Sequence, residues 1–468
     1  MRVDIKQALR LCLVVAVFLF FNSKISAQAI GSFSLGDLVD SAQHHLPLLQ
    51  KKQSLINGAK AGITDARHTY LPKVVVGNEI SIASANDLTG SYVPVSGIYR
   101  TTSGAIRGEN NYKPQTGDIT SVYAEYELVN FGLRGAKVDN AIAYADLQQA
   151  DFNKELYVLK LRVGKIYFNV LKYMYQLRID EQNIQRYQSI NEIILALTES
   201  GIKAGVDSSL AKAELSKIKV SYNQREGAIK QLQQQLSFLT GIPVANINID
   251  TLRKDAEVAS EKLFSSMADT VSNPLLDYYH KQKSLYKSEE TLVKKSFLPR
   301  ITLAGGGWGR GSSIQYNDNY KSLGTGFGLQ RFNYAAGIAL TYDLVNIVHR
   351  KDKLAVTRFQ SEGAGYDLEL QRQSLANDNA IATEAIKTAE KNLVELPIQL
   401  QAATDAFDQK VAQYKAGIIN LIDLTNASFV LYATQLNYAD TLNDWYIANL
   451  DKAASTGNLD LFIQSIKR

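Results

Sequence analysis

The chain has 468 residues, with 51 Lys and Arg against 46 Asp and Glu and a formal net charge of +5 at pH 7. Arg2, Lys6, Arg10 and Lys24 against Asp4 place three of those charges in the first 29 residues, and the remainder, near +2, is too balanced to argue for nucleic acid. The single cysteine, Cys12, lies in the same segment, so the rest of the chain holds neither a disulfide nor a thiolate metal site.

Residues 1–29 read as a secretory signal: basic residues, an apolar run from Leu11 to Phe21, then small residues around Ser26-Ala27-Gln28-Ala29. The run has 11 residues, where a membrane-spanning helix needs about 20. Leu9-Arg10-Leu11 precedes Cys12 where a lipoprotein signal has small residues, so lipidation is not expected. No later stretch is apolar for as long as about 18 residues, so no spanning helix is expected. An exported chain of this kind is periplasmic, secreted, or a β protein of an outer membrane.

The remaining chain repeats one order of elements. A helix over 39–70 leads to Leu71-Pro72, and period-2 alternation follows, with Val74, Val76, Ile80 and Ile82 on one face and Val75, Glu79 and Ser81 on the other. A Gly, Ser, Asn and Tyr-rich loop covers 84–117. A second alternating segment puts Val122, Ala124, Tyr126 and Leu128 opposite Ser121, Tyr123, Glu125 and Glu127, and runs into the cassette Tyr126-Glu127-Leu128-Val129-Asn130 ending in Arg134. A proline-free stretch then carries a coiled-coil seam, Leu156, Leu159, Val163, Ile166, Val170, Tyr173 and Leu177, in a helix over about 134–198. Such a helix is about 95 Å long.

Glycines at 201–205 suit its C-cap, and Asp207-Ser208-Ser209 offers N-caps to a returning helix with the seam Leu215, Ile218, Tyr222, Ile229, Leu232, Leu236 and Leu239. Residues 243–272 have no sustained period and read as a connector with a short helix over 259–268. The second half repeats the order from a helix over 273–297: Leu298-Pro299, alternation through Ile301, Leu303, Gly305 and Gly307, a loop over 312–333, and alternation through Ala336, Ile338, Leu340, Tyr342 and Leu344. The cassette Tyr342-Asp343-Leu344-Val345-Asn346 ends in Arg350, and a long helix runs to Ala416. Pro397 inside it predicts a kink or break, at a cost of about 3 kcal/mol. A turn at Gly417 gives way to a return through Leu421, Leu424, Leu431, Tyr438, Leu442 and Trp445. The expected divisions are a signal over 1–29, a first repeat over 30–242, a connector over 243–272, a second repeat over 273–456 and a tail over 457–468.

Each chain thus supplies four strands of about 10 residues, the length of a tilted membrane-spanning strand. Four strands cannot close a barrel, and an open sheet in lipid leaves unpaired edges, so the missing strands come from other chains. Three copies give about twelve, within the range of membrane barrels. The fold class is therefore an α+β membrane protein with a duplicated β-β-α-α unit.

The two Leu-Pro dipeptides, the two cassettes and the motif Tyr414-Lys415-Ala416-Gly417, followed by Asp423 and Ala427, resemble the TolC-like outer-membrane efflux protein family over about residues 35–455. The resemblance implies a homotrimer whose twelve-stranded barrel in the outer membrane continues into a periplasmic tunnel of helices. It implies passive exit of cargo, with a periplasmic adaptor protein and an inner-membrane pump as partners, outer-membrane lipid around the barrel, and a gate at the helix tips. It further implies that Asp423 belongs to an acidic ring near the periplasmic constriction. The residues alone also allow Asn420-Leu421-Ile422-Asp423 to be a helix start in which the acid meets the helix dipole. Gate candidates are Asp423, Asn426, Tyr414, Gly417, Asp207 and Gly205; barrel–helix junction candidates are Tyr126, Asn130, Tyr342 and Asn346.

This chain has Ile419 where the family often has a base and Asn426 where it has a second acid, which reduces an ionic latch. The first tip is two residues shorter when Ala213 is matched to Ala427, and Asp207 reads first as an N-cap. No catalytic, cofactor or metal site is expected. His44 and His45 are adjacent and diverge by about 100° on a helix. No HExxH, CxxC or nucleophile elbow occurs, and Gly305–Gly311 lacks the spacing and Lys-Ser/Thr ending of a phosphate loop. An exported adhesive coiled coil explains the helices equally well but not the duplicated strands.

Overall fold

The computed structural model describes residues 32–84, 86, 108–199, 205–249, 273–315 and 318–466. The signal segment, most of the loop 84–117, the turn 201–204 and the connector helix expected over 259–268 lie outside the described residues. Two compact units are formed: one from the chain up to Pro47 with Leu156–Val271 and Ala376–Arg468, the other from Leu48–Glu155 and Ser272–Leu375.

The first helix expected over 39–70 is two helices, α1 (Leu35–His45) and α2 (Pro47–His68). Ser34 and Asp37 form a capping box that starts α1 earlier than its apolar period suggests. Pro47 ends it, because the residue before a proline avoids helical backbone: Leu46 sits at φ −67° and ψ 117°.

In the second unit, α2 and α5 (Pro274–Ser296) flank the start of α3 (Leu133–Glu199). Lys52 and Lys154 both pair with Asp151, Lys154 Nζ lies 3.7 Å from the centroid of the Tyr278 ring, and Lys281 Nζ donates to Asp146 Oδ2 at 3.0 Å. The sheet consists of β1 (Lys73–Ala83), β2 (Gln115–Val129), β3 (Arg300–Ser312) and β6 (Arg331–Thr341), in the antiparallel order β1-β2-β3-β6. Residues paired across strands share a face, and the register sorts the sheet sharply. Val74, Val76, Ile80, Val122, Ala124, Tyr126, Leu303, Phe332, Tyr334, Ile338 and Leu340 form a mainly apolar face, interrupted by Asn78, Asp118 and Thr120. Lys73, Glu79, Ser121, Glu125, Arg300, Thr302, Trp308, Arg310, Arg331 and Asn333 form the polar one. A bulge between Glu127 and Val129 leaves Leu128 unpaired and sets Val129 opposite Ile301, on the apolar face.

The segment 312–333 is not the plain loop its composition suggests. It holds a small hairpin, β4 (Ile314–Gln315) with β5 (Asn319–Tyr320), and a 3₁₀ turn over Leu323–Phe327. This segment is seated on the start of β2, where Thr116 Oγ1 donates to the carbonyl of Leu323 and Thr116 N donates to Ser313 Oγ at 2.8 Å. The glycine-rich run Gly305–Gly311 is strand: a Cβ on Gly306 would lie 2.6 Å from the carbonyl oxygen of Val122, and one on Gly311 would strike the Gly326 and Gly328 carbonyls.

In the first unit, the remainder of α3 meets α4 (Gly205–Thr240), the end of α6 (Asn346–Lys415), α7 (Leu421–Thr456) and α8 (Leu459–Ile466). The expected seam is largely buried, with Leu159, Val163, Ile166, Val170, Ile218, Ile229, Leu236 and Leu239 in the core. Helix α6 runs unbroken through Pro397. The missing N–H of Pro397 does not end the helix there. The expected tail is mostly helix: α8 buries Leu459, Phe462 and Ile463, and Phe168 stacks on Tyr446 with centroids 4.9 Å apart. The connector begins as a 3₁₀ turn, Val244–Asn246, followed by a parallel bridge between Ile249 and Phe33.

Because no side chain fits between Gly306 and β2, Gly306→Val is expected to abolish the sheet while Gly324→Ala, with open space at its Cβ, leaves it intact. Loss against retention of the β signal and of heat-modifiable migration on gels reads this out.

Candidate functional site

Two places carry the candidate residues, the strand–helix junctions and the helix tips. At the junctions the ladders stop where proline would have to donate. Arg300 pairs with Thr341, so the next position of β6, Tyr342, would face Pro299, which has no N–H. Lys73 likewise pairs with Glu125, which puts Pro72 opposite Tyr126. Tyr126 nevertheless remains inside its strand, because β2 also pairs with β3 through Leu303. Tyr342, expected at the end of a strand, lies just beyond it.

The junctions then differ. Asn130 accepts from Leu133 N at its carbonyl, 3.0 Å, and its Oδ1 receives Arg134 N at 3.4 Å. Phe131 and Gly132 both take positive φ, 50° and 89°, and α3 starts at Leu133. In the second copy Asp343 Oδ1 accepts from Val345 N at 3.1 Å and Asn346 is already the first residue of α6. Asn130 and Asn346, equivalent in sequence, occupy different places.

At the second tip the backbone dictates the turn. Ile418 N donates to Gln413 O at 2.9 Å and Gly417 N to Tyr414 O at 3.0 Å, the paired bonds of a Schellman cap. Gly417 takes φ 75° with nothing near its Cβ position, so conformation rather than space selects glycine. Asn420 caps α7, its Oδ1 accepting from Asp423 N at 2.9 Å. Asp423 and Asn426 are three residues apart, on one face, and both are exposed.

Tyr414 is only 1 % exposed, in a cluster with Ile190, Ile194, Ala211, Phe407, Leu421 and Leu424 that joins the two helical hairpins beneath the tip. Burial pushes its phenol up from the ordinary tyrosine range, and the charge of Asp207 pushes the same way. The fold therefore brings Asp207 of the first tip to Tyr414 of the second. Asp207 is not the N-cap its sequence suggests: α4 begins at Gly205, so Asp207 falls in the first turn, where an acid meets the positive end of the helix dipole. Gly205 opens this helix instead of closing α3.

A polar network within the hairpins escaped the sequence reading. Asp180, 0 % exposed, pairs with Arg225 and accepts from the Tyr432 hydroxyl at 2.7 Å; Arg225 also donates through Nε to Gln176 Oε1 at 3.2 Å. Gln176 in turn donates to Asp440 Oδ1 at 2.9 Å. The signal was present, since Asp180 continues the step of three after Leu177, and Arg225 fills the seam position left open between Tyr222 and Ile229. Among the described residues no group of three or more His, Cys, Asp or Glu is placed to hold a metal.

The sequence matches the outer membrane efflux protein family over residues 38–242 and 272–458, and the chain belongs to that family. Its fold is similar to that of the outer membrane protein VceC from Vibrio cholerae (14% identity, 90% of this chain and 96% of that one, TM-score 0.73). It is likewise similar to the CmeC outer membrane channel of Campylobacter jejuni (13%, 91% and 86%, 0.72) and to the open MtrE outer membrane channel of Neisseria gonorrhoeae (17%, 93% and 94%, 0.67). Among curated protein sequences none matches this one.

Removing Asp180 leaves the half-buried guanidinium of Arg225 without its carboxylate, so Asp180→Ala should cost on the order of 3 kcal/mol in denaturant unfolding followed by helical circular dichroism, and Asp180→Leu with Arg225→Met far less. The raised Tyr414 has a second consequence. Its contribution to stability is present below about pH 10, where the unfolded phenol is still protonated, and is lost as pH rises toward the folded value. Thermal midpoints between pH 9 and 12 should fall more steeply for the wild type than for Tyr414→Phe.

Proposed function

We propose that the chain forms a homotrimeric outer-membrane duct through which cargo leaves passively, served by a periplasmic adaptor protein and an inner-membrane pump. The observation that carries this reading is the open four-stranded sheet. Every residue of its edge strand β6 is exposed, and one face is mainly apolar, with Asn78, Asp118 and Thr120 as polar exceptions, while the other carries most of the charges. In lipid such edges need partners, and an antiparallel β6-to-β1 contact between three copies closes twelve strands with the apolar face outward. Tyr126 and Tyr342 then stand at the membrane interface, an amphipathic ring at headgroup level.

In the same reading the helix tips form the periplasmic gate. The exposed Asp423 of three chains makes a ring of like charges in a narrow, low-dielectric throat, which attracts cations and repels itself. Asn420 binds the Asp423 backbone and leaves its carboxylate free of that capping bond. Asn426 and Ile419 add no charge, so the gate rests on one acid per chain, with the apolar cluster around Tyr414 tying the two hairpins together. The chain carries no chemistry in this role; export is driven by the pump.

Planar-bilayer recording tests the assignment. The purified trimer should conduct, and Asp423→Ala should weaken block by divalent cations by about tenfold or raise conductance. Unchanged conductance and block would leave Asp423 as a first-turn acid and nothing more.

A further inference from the structure

The four places where strand meets helix share a basic composition. Residues 67–73, 130–137, 293–300 and 344–353 carry ten Lys and Arg and a single acid, Asp352, against 51 basic and 46 acidic residues overall. Two of the ten, Lys73 and Arg300, lie on the polar face of the sheet, opposite Glu125 and Thr341. The other eight stand on the last turns of α2 and α5 and the opening turns of α3 and α6.

The helix dipole favours Arg67, Lys294 and Lys295, which stand at helix C-termini, but little inside the chain accounts for the other five charges. Among the described residues only Lys294 has an ion-pair partner, Glu290. Arg134 lies 4.7 Å from the centroid of the Tyr70 ring and Lys353 Nζ 5.8 Å from that of Phe297, contacts that leave the positive charge uncompensated. In α3 and α6 the first turn holds no acid, and cations near that end face the positive pole of the helix dipole. Exposed apolar side chains, Leu71, Phe131, Leu344, Val345 and Val348, are interleaved with the cations. That mixture of apolar anchors and bases suits an interfacial segment more than a watery surface.

We propose that this basic collar binds the anionic phospholipid headgroups of the leaflet at the helix side of the membrane. The proposal rests on the barrel reading above. The apolar face of the sheet ends at Val129 and Leu340, so the collar begins where the acyl region gives way to phosphates. Each cation near an anionic surface shifts the binding equilibrium on the order of fivefold, and three chains repeat the collar three times.

Native mass spectrometry of the full trimer, extracted from vesicles of equal phosphatidylglycerol and phosphatidylethanolamine, tests this directly. The wild type should retain phosphatidylglycerol at least about fivefold over phosphatidylethanolamine. The preference should disappear in Arg350→Gln/Lys351→Gln/Lys353→Gln and persist in Lys212→Gln/Lys217→Gln/Lys219→Gln, a control on exposed residues of α4. Equal retention of the two lipids by the wild type overturns the collar, as does a triple variant that keeps the preference. A triple variant that keeps the lipid preference but changes anion selectivity of the pore would also overturn it, by assigning the charges to the lumen. Bilayer conductance of the same samples separates the two readings: a conducting trimer without lipid preference removes the collar alone, whereas a non-conducting chain removes the duct.

Discussion

Backbone hydrogen bonding at the margins of the sheet is the constraint on which the rest of the structure depends. Each strand residue other than proline offers a donor and an acceptor that need partners once water is gone. Inside the sheet β2 and β3 are satisfied on both sides, and their ladders stop where Pro72 and Pro299 have nothing to donate. The proline in each Leu-Pro pair therefore fixes where flat pairing ends and where a helix is free to begin. At the two outer strands no such stop exists. β1 and β6 keep one open row each, and in the proposed barrel those rows are what assembly would satisfy.

The helical part solves a different problem. A long two-hairpin bundle with a uniformly apolar seam has no reason to prefer one register over another shifted by a heptad. Asp180, Arg225, Tyr432 and Gln176 interrupt that uniformity inside the seam, where they satisfy one another only in a single alignment of α3, α4 and α7. The apolar cluster around Tyr414 and Leu421 supplies the burial, and the polar set supplies the address.

Much of this was legible in the sequence, because two periods do the encoding. Period 2 located all four long strands and sorted their faces, and steps of three and four located the long helices to within a few residues. Boundaries were less legible where a local contact overrides the period. Ser34 and Asp37 pull α1 forward by a capping box, Leu46 yields to the proline after it, and the segment 312–333 is held by Thr116, 207 residues from Leu323 in sequence. At the tips, the Gly417 turn was readable from glycine and Asn420, whereas Asp207 was misplaced because the start of α4 is not marked by the residues that usually mark one. Asp180 and Arg225 were passed over because a seam is searched for apolar residues, and their meaning lies in being polar there.

The unequal junctions have a consequence for symmetry. Two repeats per chain and three chains would give a conduit with sixfold equivalence if the repeats folded alike. Helix α6 begins three residues earlier in its cassette than α3 does, a displacement of about 4.5 Å and nearly a full turn. In the proposed trimer alternate helices around the wall would be out of step, and the order of the axis would be three. Any ring built from one kind of residue would then have three members at one height, so a single acid per chain would set a triangular field that the intervening helices do not share.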